Sequence, residues 1–325
     1  MLSEKLIQTL KKQHYGIVGK HSGVQICRWT KKSLLDEGEC YKQQFYGIKS
    51  HRCCQMAPTL GFCQNQCIHC WRAIELTVGT KMDPELVDEP KTIINGAIAA
   101  QQKLLNGFKG NDKVNLEKFN EAQEPTQFAI SLTGEPTLYP KIGELVHELR
   151  KLGKSTFIVT NGLQPEVLEK MNKEKNLPTQ LYVSLNSPNK ELFDKWHRSK
   201  TKDAWEVFNK TLELFPLLKT RKVIRMTLVK GPNSNMNQKM IEDYSNLIKK
   251  ANPDFIEVKG FMSVGFARKR KNMGYDTMPT YEEIKGYAIE IVKAIGYKVL
   301  DEHEHSRVIL LGKDKNRMKI KPNEI

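Results

Sequence analysis

Cys63, Cys67 and Cys70 stand in the run CQNQCIHCWR with spacing C-x3-C-x2-C. A short loop with three thiolates can hold three irons of a cubane [4Fe–4S] cluster and leave the fourth without a protein ligand, where closed clusters take four cysteines. An open iron is a place where a small molecule can bind and react. All 7 cysteines fall between Cys27 and Cys70, and none follows as far as residue 325. A Cys3His zinc site would enlist His69, which lies between two of the cysteines and would have to bend back sharply, whereas zinc ribbons use well-separated pairs. Disulfides fit poorly with an odd count, the lack of a secretory signal and a Lys-rich chain. Cysteines that merely fill a core scatter along a sequence instead of bunching in one loop.

Such a loop needs a scaffold, and the chain supplies alternating strands and helices. Apolar runs at 126–133, 155–162, 180–186, 222–229 and 254–261 read as buried strands, with a first short strand at about Pro58 to Phe62. Between them lie helical patterns from residue 90, at 140–152 (stopped by Gly153), near 165–173, at 205–218 and at 236–250, and a closing helix spans about 280–295 with Gly296 as its stop. Six strands alternating with helices predict an α/β fold: a parallel sheet, open or curled into a partial (β/α)6 TIM-type barrel. The strands turn polar at their C-terminal ends, at Thr133-Gly134-Glu135, Thr160-Asn161, Ser184 to Asn186, Lys230 with Asn233, and Lys259. That is the edge where barrel enzymes carry their sites. Segment 107–124 is polar and reads as a surface insertion without a motif.

The chain of 325 residues suits one main domain, 57–296, between an N-terminal extension, 1–56, and a C-terminal extension, 297–325. No apolar run is long enough to cross a bilayer, and residues 1–20 read as an amphipathic helix, so a soluble cytoplasmic protein is expected. A net charge of +15 favours a polyanionic partner such as RNA. The strongest local signal for RNA is GFARKRKNMGY (265–275), where Arg268, Lys269, Arg270 and Lys271 lie between Phe266 and Tyr275. Basic side chains for phosphates and aromatic faces for unstacked bases serve single-stranded loop recognition.

The cysteine loop after a first strand, followed one βα unit later by Thr133-Gly134-Glu135-Pro136-Thr137, resembles the radical S-adenosylmethionine (SAM) superfamily. The resemblance implies that Cys63, Cys67 and Cys70 hold the cluster, that SAM chelates its open iron, and that the Thr133-Gly134-Glu135 turn contacts the SAM amine. Thr133 replaces the first Gly of that turn. Ser184 and Asn186 would then face the ribose, and Arg225 would lie near the SAM carboxylate. The C-x12-C-x12-C arrangement of Cys27, Cys40 and Cys53, within ECYKQQFYGIKSHRC and its surroundings, resembles the second-cluster segment of the wyosine-synthesis enzymes, archaeal single-domain form. That likeness extends to HRSKTKDAW (197–205), RMTLVKGPN (225–233) and EVKGFMSVG (257–265).

Those enzymes condense pyruvate with N1-methylguanosine beside the anticodon of tRNA-Phe to close a third ring. By that likeness Cys27, Cys40 and Cys53 hold a second [4Fe–4S] cluster, and Lys42 lies in the active site. Pyruvate could be held by the second cluster's open iron or as a Schiff base on Lys42. Cys54 is the odd thiol; the thirteen-residue spacing favours its neighbour Cys53. A flavodoxin or ferredoxin is expected to deliver electrons to a monomer. The alternatives are another two-cluster radical SAM enzyme, methylthiotransferase-like or an activase, and a non-catalytic metal-stabilised RNA-binding protein.

Overall fold

The computed structural model describes residues 2–325. The N-terminal part comprises α1 (Glu4–Lys12), β1 (Gly16–Val18), β2 (Ser22–Val24), α2 (Arg28–Leu34), α3 (Tyr41–Tyr46) and β3 (Cys53–Ala57). The alternating part follows: α4 (Pro90–Leu105), α5 (Leu116–Ala122), β4 (Gln127–Ile130), α6 (Ile142–Lys151), β5 (Ser155–Thr160), α7 (Pro165–Lys173) and β6 (Gln180–Ser184). It continues through α8 (Lys190–His197), α9 (Ala204–Leu214), β7 (Arg221–Leu228), α10 (Ile241–Ala251) and β8 (Phe255–Gly260), and the chain closes with α11 (Tyr281–Ile295), β9 (Lys298–His303) and β10 (Val308–Gly312). Expected punctuation is in place: Thr280 and Glu283 form a capping box at the start of α11, and Gly296 ends it at φ 74.

The strands form one sheet in the order β1-β2-β3-β4-β5-β6-β7-β8-β10-β9, parallel from β3 to β8. Tyr46 shows that the sheet curls. Its ring lies 6.0 Å from Phe157 on β5 and 5.9 Å from Phe255 on β8, strands that would stand ~14 Å apart in a flat sheet. Inside the curl, α3 packs Tyr41, Phe45 and Tyr46 on Phe157, Tyr182, Val223 and Phe255. Outside it, the helices bury the larger core, including Met56, Ile130, Val146, Ile158, Leu181, Ile224 and Ile256. The result is the expected partial barrel.

Two sequence expectations need correction. The first parallel strand is Cys53–Ala57 and not 58–62, because Pro58 has no N–H for the ladder and Gly61 turns the chain at φ 78. Segment 107–124 is more than a surface insertion: α5 buries Phe119 and Ala122 with Ile26, Leu34 and Leu105. Within the C-terminal extension, β10 pairs antiparallel with β8, and β9 with β10.

Candidate active site

The segment that leaves β3 becomes the cysteine loop, and its backbone is held by residues far along the chain. Gln66 N–H donates to His197 O (2.9 Å), Ile68 N–H to Trp196 O (3.0 Å), and Lys200 N–H to Gln64 O (2.9 Å). From the other side the Arg270 guanidinium donates to Ile68 O at 3.3 Å, to Arg72 O at 2.7 Å and to Cys70 O. Arg72 itself donates to Asn65 O at 2.6 Å. Cys67 Sγ lies 3.2 Å from His197 Nδ1, and Cys63 Sγ accepts from Asn65 N–H at 3.4 Å. His69 Nε2 faces Asn186 Nδ2 at 3.5 Å. Among the described residues no group of three His, Cys, Asp or Glu converges as ligands of a single ion must. A cubane makes no such demand, since each cysteine takes a different iron.

The Thr133-Gly134-Glu135 turn sits directly on this loop. Gly134 has φ 76, and a Cβ there would stand 2.0 Å from Thr59 O and 2.9 Å from Phe62 O, so only glycine fits. Glu135 N–H donates to Phe62 O (2.9 Å). The buried Glu135 carboxylate accepts from the Thr137 and Thr160 hydroxyls, each at 2.6 Å, and from Asn161 N–H at 2.8 Å. Burial raises its pKa, against those hydrogen bonds. Asn186, past the end of β6, accepts from Thr227 N–H at 2.9 Å; Ser184 ends that strand opposite Arg225. Around the loop and these strand ends, Thr59 Oγ1, Gln64 Nε2, Asn65 Oδ1 and Nδ2, His69 Nδ1, Ser187 Oγ and Trp196 Nε1 are buried without partners. Groups of this kind cost about 1–3 kcal/mol each when unpaired, so the pocket is built for a polar ligand.

The second set of cysteines is assembled from three elements. Cys27 caps α2, Cys40 caps α3, and Cys53 opens β3. Ser50 joins two of them: its Oγ accepts from Cys40 N–H (2.9 Å) and its carbonyl from Thr30 Oγ1 (3.0 Å). Burial, reinforced by the neighbouring Cys27 thiol, pushes Cys40 up to about 11, and burial with Cys27 and Cys40 takes Cys53 to about 12, against Lys42. Strand alternation separates Cys53 from Cys54: Cys53 faces the α3 side, while Cys54 is buried in the helical layer with Met56 and Phe128.

Lys42 follows on α3, only 9% exposed, its Nζ 5.0 Å from the rings of both Phe157 and Tyr182. Burial and then Arg225 lower its pKa, against Glu257, Cys40 and Cys53. Arg225, expected beside a SAM carboxylate, instead donates to Glu257 Oε2 (2.7 Å) and to Tyr41 OH (2.7 Å), and lies 4.6 Å from the Tyr182 ring. Glu257 is fully buried and also accepts from Tyr41 OH and Tyr46 OH, each at 2.9 Å. Burial opposes its ionisation, yet Arg225 and Lys42 hold the carboxyl below its ordinary range. Lys259, lowered to about 8 by burial and then Arg225, donates to Ser306 O at 2.6 Å.

In the basic run, Arg268, Lys269 and Lys271 are exposed, with Arg268 and Lys269 over the rings of Tyr275 (5.7 Å) and Phe266 (5.8 Å). Arg270 differs. Expected among the RNA contacts, it is turned inward and committed to the cysteine loop. A cleft of about 590 Å³ beside that loop is lined by Lys195, Arg198, Arg270, Lys271 and Asn233, with Glu75 as its one acidic residue.

The radical SAM superfamily profile matches residues 58–244, and one for wyosine base formation matches residues 250–313. S-adenosyl-L-methionine-dependent tRNA 4-demethylwyosine synthases of Pyrococcus abyssi and Pyrococcus horikoshii are 49% and 48% identical to this chain, each over 96% of it and 90% of the relative. The chain belongs to this family of radical SAM enzymes. A solved structure of TYW1 with a lysine-pyruvate adduct bound is 37% identical, with a TM-score of 0.85 over 99% of both chains.

A tRNA 4-demethylwyosine synthase of this superfamily uses SAM and a [4Fe–4S] cluster, and Cys63, Cys67, Cys70 and the unpartnered polar groups around them fit both. When bound, the pair supplies an electron and a carbon radical able to take hydrogen from an unactivated carbon. Sequence reasoning missed Glu257, His197 and the inward role of Arg270. Glu257 does sit inside a run that reads as a strand, where a lone acid with apolar neighbours is a signal. His197 opens the HRSKTKDAW run and Arg270 stands in the basic run, but neither run points to the cysteine loop, which the two residues reach from 130 and 200 residues away. No described helix is long and apolar enough to cross a membrane.

Proposed function

We propose that this enzyme joins pyruvate to N1-methylguanosine beside the anticodon of tRNA-Phe, giving 4-demethylwyosine with two pyruvate carbons kept in the new ring and the carboxyl carbon and water released, and that Lys42 holds pyruvate as an imine. The observation that carries this reading is the burial of the Lys42 amine inside the curl, against Tyr182 and beside Cys40, Cys53 and the Arg225–Glu257 pair. Burial and Arg225 favour the neutral amine, which adds to the keto carbon of pyruvate with loss of water. The lysine-pyruvate adduct of the TYW1 relative supports the same chemistry. Cys27, Cys40 and Cys53 are assigned a second [4Fe–4S] cluster. Thr133, Gly134 and Glu135 are assigned to the SAM amine, and Ser184 and Asn186 to its ribose. Arg225 is reassigned to the pyruvate end, with Glu257.

The tRNA backbone is assigned to Arg268, Lys269 and Lys271 and to the adjoining cleft with Lys195 and Arg198, with Arg270 excluded. The reading further takes 1–56 as the extension bearing the second cluster, 57–296 as the barrel and 297–325 as a C-terminal extension. It places a monomer in the cytoplasm, reduced by a separate flavodoxin or ferredoxin. Borohydride treatment with isotope-labelled pyruvate, followed by peptide mass mapping, tests the central step. A reduced adduct on Lys42 is expected; an active preparation that yields none, or that carries it on Lys259, overturns the imine.

A further inference from the structure

His197 ends α8 with its ring buried between Phe193, at 4.5 Å, and His69, edge-on at 6.1 Å. Its Nδ1 stands 3.2 Å from Cys67 Sγ. The backbones that carry the ring and the sulfur are held together, because the His197 carbonyl accepts from Gln66 N–H and the Trp196 carbonyl from Ile68 N–H, on either side of Cys67. A sulfur that ligates iron is a thiolate and can only accept, so the proton belongs on Nδ1. The other two thiols have different neighbours: Cys63 Sγ accepts a backbone N–H at 3.4 Å, and Cys70 has the Arg72 guanidinium.

We infer that His197 is a positioning residue that sets the reduction potential of the SAM cluster through a hydrogen bond from its Nδ1–H to Cys67 Sγ. Reduction adds one electron from an external one-electron donor, of the flavodoxin or ferredoxin class in the cell and dithionite in the test. The added charge spreads onto the sulfurs. A fixed N–H aimed at one of them stabilises the more negative state, and in a buried site that effect is strong. No proton moves and no covalent bond changes. The inference rests on the cluster at Cys63, Cys67 and Cys70 and is independent of how pyruvate is held.

His197→Phe keeps a ring beside Phe193 and removes the donor, while His197→Gln offers an amide N–H in its place. The full chain, reconstituted anaerobically, is titrated with dithionite and followed by the electron paramagnetic resonance signal that SAM perturbs. We expect His197→Phe to bind as much iron as the parent but to be about tenfold harder to reduce, about 59 mV for a one-electron couple, with His197→Gln in between. Equal midpoints in the parent and His197→Phe overturn the inference. So does a His197→Phe chain that has lost the SAM cluster's irons alongside a His197→Gln chain at the parent potential, since His197 would then hold the cluster and not tune it. A parent with no SAM-sensitive signal overturns the cluster assignment itself.

Discussion

The two sets of cysteines are built in opposite ways. Cys63, Cys67 and Cys70 occupy one continuous loop, so their spacing alone brings them together, and distant residues are needed only to hold the loop still. Cys27, Cys40 and Cys53 come from the starts of two helices and a strand, and only the folded extension gathers them. Their surroundings differ as well. The loop is ringed by unpartnered polar atoms, which suits a ligand rich in hydrogen-bonding groups, whereas the second set looks onto aromatic rings, a buried ion pair and an amine held toward neutrality. Compact spacing thus marks the part that binds a polar cofactor. Under the proposed function, dispersed spacing belongs to the part that activates a small ketone.

The sharpest way to break this contrast is to remove one thiol from each set. Cys67→Ala should abolish SAM cleavage and leave about four of roughly eight irons. Cys53→Ala should lower iron equally while SAM cleavage continues and tRNA product is lost. Cys54→Ala, in the helical layer, should keep all iron at a cost of about 1 kcal/mol in stability. Metal analysis with product assays checks all three, and loss of iron in Cys54→Ala would reverse the assignment of the pair.

Gly134→Ala comes next, because strain at φ 76 and a Cβ 2.0 Å from Thr59 O fall on the first site alone. Destabilisation on the order of 3 kcal/mol and weak SAM binding are expected from denaturant melts and equilibrium dialysis, with Lys42 trapping retained by the folded fraction. A smaller effect separates the second site. Since burial and Arg225 depress the Lys42 pKa, its neutral fraction rises with pH and levels off below the range of a free lysine, whose pKa is about 10.4. The rate of borohydride trapping should follow that curve. Glu257 favours the ammonium, so Glu257→Gln should move the profile to still lower pH.

The smallest effect concerns the surface. Arg268→Ala and Lys271→Ala should each lower the salt slope of tRNA binding by about one. Arg270→Ala should instead loosen the cysteine loop and lower iron retention, as iron analysis after gel filtration would show.

Much of this was legible because it is local or periodic. The parallel strands, the helices between them and the polar strand ends followed from apolar spacing, and Gly134 and Glu135 announced a turn by their types. The spacing also favoured Cys53 over Cys54, and strand alternation turns the two thiols to opposite faces of the sheet. What escaped was non-local. A lone Pro58 moved the first strand upstream by five residues. Arg270 looked like one of four equivalent cations, and only its reach to three carbonyls of the loop distinguishes it. The Arg225–Glu257 pair joins two strands whose register no single sequence reveals.

The clamp on the cysteine loop also sets an order of events during synthesis. Arg270 lies 200 residues beyond Cys70, and at about 5–20 residues per second roughly 10–40 s pass before it leaves the ribosome. During that interval the three thiols are free of their last restraint, open to delivery of iron and sulfide and equally to oxidants. Completion of the barrel therefore fixes a loop that the earlier-made part of the chain cannot fix alone.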